Sequence, residues 1–170
     1  MRIVKAETLL VSIPFESGGL PPWGWGGKPA STFDVLMVRL ETEDGLVGWG
    51  EAFSRMSDTA LKQVIDTRVL PLVVGRDARQ ISRIKHDVEF NLHNFGRSGG
   101  IMYGISAVDI ALWDLAGKRA GRPLVELLGG ANAQQVEVYA SLVRYGSEAG
   151  VVAAVERAIA RGYRWIKLHD

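Results

Sequence analysis

The chain has 170 residues, enough for one domain or for one domain and part of another. Its 20 basic and 19 acidic residues leave a net charge of +1, which gives no electrostatic case for nucleic acid or an acidic membrane. It has no cysteine, which excludes disulfides, Cys-ligated zinc, iron–sulfur clusters and a thiol nucleophile.

Met1 to Glu7 lacks a signal-peptide profile, because Lys5 and Glu7 interrupt it. No apolar run approaches the length of about 18 residues that a membrane helix needs. A cytoplasmic protein with no membrane partner is expected. Residues 2–13 read as a first strand. Residues 15–31 read as a long loop that holds five glycines, three prolines and both Trp23 and Trp25. A loop of this length in a compact domain is usually functional or disordered, and two tryptophans favour function. They either cap a ligand pocket or anchor the loop by their own burial. Residues 33–42 read as a strand, Glu43-Asp44-Gly45 as a turn and residues 46–52 as the returning strand. The three strands form an antiparallel meander.

The period then becomes helical. Leu61, Val64, Ile65, Val69 and Leu72 predict a helix over 58–74 with Asp58 as N-cap and Pro71 near its end. Ile81, Ile84, Val88 and Leu92 predict a second over 80–94. Residues 94–100 are glycine-rich and are expected to be flexible. Residues 103–120 form the strongest helical stretch, closed by Gly121 and followed by Pro123. After Gly129-Gly130 the order becomes strand (136–142), helix (147–161, with Ser147 as N-cap) and strand (163–169). Such a βαβ unit implies parallel strands. The reading is therefore α+β over residues 1–130, then the opening of an α/β domain over 131–170.

Lys167-Leu168-His169 is the sharpest arrangement of reactive groups. Residues two apart on a strand share a face, so Lys167 and His169 point one way and Ile166 and Leu168 the other. An amine and an imidazole side by side repel when both are protonated, which favours a neutral base. The competing reading is a pair of solvated residues at a strand end. Phe53, just after the third strand, belongs either to a pocket loop or to an ordinary connection. Neither His86 nor His93 has a carboxylate or histidine four residues on, and both read as structural. Asp109 and Asp114, in an apolar helix, are expected to pair with basic groups or to cap a neighbour. Residues 96–100 lack the Lys-Ser/Thr ending of a phosphate loop.

Residues 104–118 (Gly-Ile-Ser-Ala-Val-Asp-Ile-Ala-Leu-Trp-Asp-Leu-Ala-Gly-Lys), then Gly121-Arg122-Pro123-Leu124 and Leu127-Leu128-Gly129-Gly130, closely resemble the signature of the mandelate racemase/muconate lactonizing enzyme family of the enolase superfamily. Residues 43–52, Glu-Asp-Gly-Leu-Val-Gly-Trp-Gly-Glu-Ala, resemble its other familiar stretch. Gly104 departs from the alanine usual in that pattern. The resemblance implies an α+β capping domain, a three-stranded antiparallel meander plus helices, over residues 1–130. The start of an α/β (β/α)-barrel would follow over 131–170. A whole barrel needs about 250 residues, so the chain is expected to be part of a longer protein.

The resemblance also implies Mg²⁺, held by carboxylates on barrel strands that this sequence does not contain. It implies removal of the α-proton of a small carboxylate substrate through an enediolate. The family usually carries Lys-x-Lys on its second barrel strand. Lys167 matches the first lysine and His169 stands at the second. The expected assignment is His169 as base or acid and Lys167 on the substrate carboxylate, with the reverse open. An imidazole, whose unperturbed pKa is about 6.5, needs the smaller shift to act as a base near neutrality. Trp23, Trp25 and Phe53 match two pocket-closing loops, and Ser141 matches a substrate-contacting position. The expected function is sugar-acid dehydration. Racemisation, epimerisation and cycloisomerisation are alternatives, and a homo-oligomer is implied. A non-catalytic capping-domain fragment or binding module is the reading from another class.

Overall fold

Alternation of apolar and polar residues builds the sheet. In Thr32–Thr42 (β2), Leu36, Val38, Leu40 and Thr42 are buried, while Met37, Arg39 and Glu41 between them are half-covered on the other face. The computed structural model describes residues 1–15, 32–54, 57–130 and 135–169. Ile3–Pro14 (β1) and Val47–Ala52 (β3) flank β2 on either side. β3 runs antiparallel to β2, from Leu36 opposite Ala52 to Glu41 opposite Val47. On the other side Arg39 donates to Glu7 at 3.0 Å and Ser12 to Asp34 at 2.5 Å. Partner numbers fall as chain numbers rise, as antiparallel neighbours require. Residues 43–45 make the expected turn. Gly45 sits at φ +83°, and the Thr42 N–H donates to the Leu46 carbonyl at 3.0 Å.

The helix expected over 58–74 is real but is wound in three ways. Asp58–Val64 (α1) is α-helical, Ile65–Val69 is a π-helical turn and Leu70–Leu72 is a 3₁₀ turn. Pro71 explains the change, because it has no N–H to give and its ring crowds the carbonyl four residues back. Asp58 is not the N-cap. Ser57 holds that position without a side-chain cap bond, and the Asp58 carboxylate instead accepts from the Ser54 hydroxyl. Ile81–Asn91 (α2) ends earlier than expected, and His93 falls in a separate 3₁₀ turn, His93–Phe95.

Gly99–Ala120 (α3) begins four residues before the sequence reading placed it. Tertiary packing overrides the weak helical preference of glycine there. Ile101 is buried, and a side chain on Gly100 would lie 3.3 Å from Leu61. Gly121 ends α3 at φ +62°, with its N–H on the Lys118 carbonyl and the Arg122 N–H on that of Gly117. A short turn, Leu124–Leu127 (α4), follows.

α3 is the centre of the core. Ala107, Ala111, Leu112 and Leu115 are fully buried, as are Ile3, Leu36, Val38 and Leu40 of the sheet and Ile65, Val69 and Ile84 of the helices. β3 sits on α3 with nothing in between. A Cβ on Gly50 would fall 1.9 Å from the Ala107 carbonyl oxygen, and one on Gly48 2.3 Å from that of Ala111. The free edge of β3 is also covered. Asp114 accepts from the Trp49 N–H at 2.9 Å, while Lys118 donates to the Val47 carbonyl at 2.8 Å and to Asp114 at 2.6 Å. Asp114 therefore has the pairing and capping role expected of it. The start of β1 is closed by residues 75–78, with the Ile3 N–H on the Arg76 carbonyl and the Gly75 N–H on that of Ile3.

Residues Met1–Ser12 and Asp34–Ala131 form one compact unit, and Ile13–Phe33 and Asn132–Asp170 a second. In the second, Tyr139–Ser141 (β4), Glu148–Ala160 (α5) and Trp165–Lys167 (β5) follow in order, and β4 and β5 pair in parallel as expected. Among the described residues no helix is long and apolar enough to cross a membrane.

Two outcomes follow from the first unit. Gly50→Ala is expected to lower stability by at least about 2 kcal/mol, because its methyl would overlap a backbone carbonyl that cannot rotate away. Gly104→Ala is expected to fall within about 1 kcal/mol of zero. Its methyl would meet the Ile65 side chain at 2.8 Å, but it gains helix propensity. Equal losses in urea denaturation would overturn the backbone seat.

The second outcome concerns Asp77. The Arg79 guanidinium and backbone N–H hold the Asp77 carboxyl down to about 2. The folded value lies below the unfolded value of about 3.9, so this stability is present above pH 4 and lost as pH falls towards 2. The melting-temperature gap between wild type and Asp77→Asn is expected to shrink from pH 5 to pH 2. A constant gap would sink the assignment.

Candidate active site

Strand register builds the site. Tyr139 lies opposite Trp165, Ala140 opposite Ile166 and Ser141 opposite Lys167. Directly paired residues of a parallel ladder present their side chains to the same face. Ser141 and Lys167 are therefore neighbours on one face, and both are exposed. The ladder runs one bond further, with the Leu142 N–H on the Lys167 carbonyl at 3.0 Å. His169 follows Lys167 by two residues at the same C-terminal end and is also exposed. Ile166, between the exposed Trp165 and Lys167, is half-buried, while Leu168 is 55% exposed. The alternation holds through Lys167 and fades beyond the last paired residue.

α5 fixes the spacing between the two strands. The Ser147 side chain caps it, accepting from the Gly150 N–H at 3.2 Å. Ala154 and Ala158, one turn apart, are its buried residues. Gly162 ends it at φ +87°, with its N–H on the Ile159 carbonyl and the Tyr163 N–H on that of Ala158. Both caps are legible in the sequence, Ser147 before the helical stretch and Gly162 just after it.

The expected site residues divide. Ser141, Lys167 and His169 gather at one sheet end. Phe53 lies in the other compact unit, directly after β3. It is 62% exposed, and its ring meets that of Tyr103 on α3 edge-on at 5.3 Å. Beside it Ser54 is buried and accepts the Ser57 N–H at its carbonyl, 2.8 Å away. Trp23 and Trp25 lie outside the described residues. Sequence reasoning missed Arg144, in the exposed loop that leaves β4 at the same end. Its signal is its place three residues beyond Ser141, on a strand now known to pair with Lys167.

Two open grooves lie in the first unit. One, about 350 Å³, runs between α2 and α3 past His86, Asp109 and Trp113. The other, about 420 Å³, holds a closed network of Thr8, Lys62 and Asp66, with Lys62 2.7 Å from both partners and Thr8 donating to Asp66 at 2.7 Å. Neither groove includes an expected site residue.

A βαβ opening with Lys-x-His at its strand end, after a meander seated on the helix of residues 99–120, narrows the family. The model for the mandelate racemase/muconate lactonizing enzyme N-terminal domain matches residues 23–129. The chain belongs to this family. It is 39% identical over 136 residues to a D-galactonate dehydratase family member of Catenulispora acidiphila, covering 79% of this chain and 31% of that protein. It is 37% identical over 138 residues to the 3,6-anhydro-alpha-L-galactonate cycloisomerase of Streptomyces coelicolor, covering 80% and 38%. The crystal structure of a racemase from Streptomyces coelicolor A3(2) with bound magnesium superposes with a TM-score of 0.81 at 34% identity, covering 96% of this chain and 45% of that one. The chain thus spans about a third of the length of these curated relatives. Its fold is the α+β capping fold of the family followed by the opening of its barrel.

The magnesium of that structure finds no fitting ligand set here. Mg²⁺ takes oxygen ligands, chiefly carboxylates. Among the described residues no three His, Asp or Glu side chains stand together to hold a metal. The groups gathered at the strand ends are a hydroxyl, an amine and an imidazole.

Removing the cap of α5 tests how firmly this end of the sheet is held. Ser147→Ala is expected to destabilise the protein by about 1 kcal/mol. A change below about 0.3 kcal/mol in denaturant titration would show that the cap does not hold the crossover.

Proposed function

We propose that residues 1–130 cap, and residues 131–170 open, the barrel of an enzyme that removes the α-proton of a sugar acid and then dehydrates it. The observation that carries the reading is the register of Ser141 with Lys167, with His169 two residues on. In barrels of this kind chemistry sits at the C-terminal strand ends, and that is where these residues lie. The names of the two relatives given above support a sugar-acid substrate.

In this reading His169 takes the α-proton on its imidazole as general base. The Lys167 ammonium holds the substrate carboxylate and stabilises the negative charge that grows on it as the proton leaves. Ser141, beside Lys167, donates a hydrogen bond to the same carboxylate or to the neighbouring hydroxyl. The enediolate electrons then form the carbon–carbon double bond as the β-hydroxyl leaves as water, protonated by the His169 imidazolium, which completes dehydration. Phe53, Trp23 and Trp25 are assigned to substrate binding in the same proposal, on the family resemblance of their segments. The Mg²⁺ requirement is part of the proposal, with its ligands outside the described residues, and no step above passes through it. Cycloisomerisation shares the proton-removal step and differs in what leaves or closes afterwards. The similarity to a cycloisomerase keeps it as the second reading.

The test is exchange of the α-proton of D-galactonate and related sugar acids into deuterated water, followed by NMR, with the full-length protein that carries this chain. Lys167→Ala and His169→Asn are each expected to lower exchange by at least about 100-fold. Chelation of divalent metal is expected to abolish exchange, and added Mg²⁺ to restore it. Exchange retained in Lys167→Ala would overturn the placement of the site.

A further inference from the structure

Phe53 stands where the backbone is fixed on both sides. Ala52, the last residue of β3, and Ser54 are both buried. The Ser54 carbonyl accepts the Ser57 N–H at 2.8 Å and the Ser57 hydroxyl at 2.9 Å. The Ser54 hydroxyl donates to the carboxylate of Asp58, the first residue of α1. The chain around Phe53 is thereby tied to β3 before it and to α1 after it. With the backbone set, the freedom that remains is that of the ring about its staggered side-chain rotamers.

Tyr103 takes up that freedom. Its ring meets the Phe53 ring at 5.3 Å between centroids and 66° between planes. This is the edge-to-face arrangement that aromatic quadrupoles favour, and it weights one rotamer about two- to tenfold over the others. Tyr103 is itself on a rigid support. Ile101 and Ile105, two residues to either side of it on α3, are buried. Gly100 and Gly104 let α3 approach α1 and the turn that follows it. A side chain on Gly100 would lie 3.3 Å from Leu61, and one on Gly104 2.8 Å from Ile65. Two closely packed helices therefore hold the same residue. α1 holds the Phe53 backbone through Asp58 and Ser54, and α3 holds its ring through Tyr103.

We propose that Tyr103 is a positioning residue that keeps the Phe53 ring in its substrate-binding rotamer, and so acts on substrate affinity through Phe53. The inference rests on the assignment of Phe53 to substrate binding and adds the residue that sets its ring. The contact is ring on ring, so phenylalanine at position 103 serves as well as tyrosine.

The experiment is a double-mutant cycle on the full-length protein, read by calorimetric titration with D-galactonate. Tyr103→Leu is expected to weaken binding about 3- to 10-fold, the range for an aromatic pair. Tyr103→Phe is expected to stay within about twofold of wild type. In a Phe53→Leu background, Tyr103→Leu is expected to change the affinity by less than about twofold, because the ring it positions is already gone. A residue with a merely structural role would give the same loss in both backgrounds, and that result would overturn the proposal. Wild-type affinity in Tyr103→Leu, or a Tyr103→Phe variant as weak as Tyr103→Leu, would overturn it too. A wild type that does not bind D-galactonate overturns it together with the sugar-acid substrate. Exchange of the α-proton separates the remaining cases. Coupling of Tyr103 to Phe53 without exchange sinks the catalytic reading alone. Exchange without coupling sinks this inference alone.

Discussion

The first unit depends on a contact between backbones. Gly48 and Gly50 of β3 lie against the Ala107 and Ala111 carbonyls of α3, at distances that leave no room for a methyl group. Dispersion acts over short range, so a sheet this close to a helix gains contact along its whole length. The seat also dictates the polar chemistry at its rim. With β3 against α3, Asp114 and Lys118 come within reach of the Trp49 N–H and the Val47 carbonyl. The free edge of the sheet is thereby closed by the helix that supports it. Arg119 and Asp44 extend the same seam to the turn that joins β2 and β3.

The outer face of the sheet has a different character. Arg39 lies between Glu7 and Glu41 and over the Trp49 ring, at 6.0 Å from its centroid. The Arg39 guanidinium and the Lys5 ammonium hold Glu7 below the usual carboxylate range, with Lys5 the larger influence. These are exposed or half-exposed pairs, and each contributes little to stability. Stability resides on the buried face, where Leu36, Val38 and Leu40 meet the core.

In the second unit the governing constraint is register. Parallel strands cannot be joined by a tight turn, so α5 makes the crossover and its caps set where β5 begins. Ser147 and Gly162 fix its two ends, and Lys167 then falls level with Ser141 and not one residue to either side. A slip of one residue would turn Lys167 to the opposite face and leave Ile166 in its place. The chemistry proposed for Lys167 and His169 therefore depends on the two helix caps that bound α5.

Much of this was legible in the chain itself. Alternation gave β2, the Gly45 turn gave the hairpin, and Ser147, Gly121 and Gly162 marked helix ends, because each signal is local and the backbone answers to it directly. Lys167 and His169 stood out by their two-residue spacing, although the strand itself ends at Lys167. Other features depended on what lies across space. The start of α3 at Gly99 needed Leu61 and the buried Ile101 to hold glycines in a helix. The π-helical turn at Ile65–Val69 answers to Pro71 and packs against α3 at Gly104. Asp114 read as a residue in search of a partner, but only the close seat of β3 showed that the partner is a strand edge. The sequence by itself determined the order of the main strands and helices and the two-residue spacing of Lys167 and His169. Only the tertiary structure decided that Ser141 stands beside Lys167 and that Arg144 joins their end of the sheet, because strand register is set between segments distant in sequence and no local pattern encodes it.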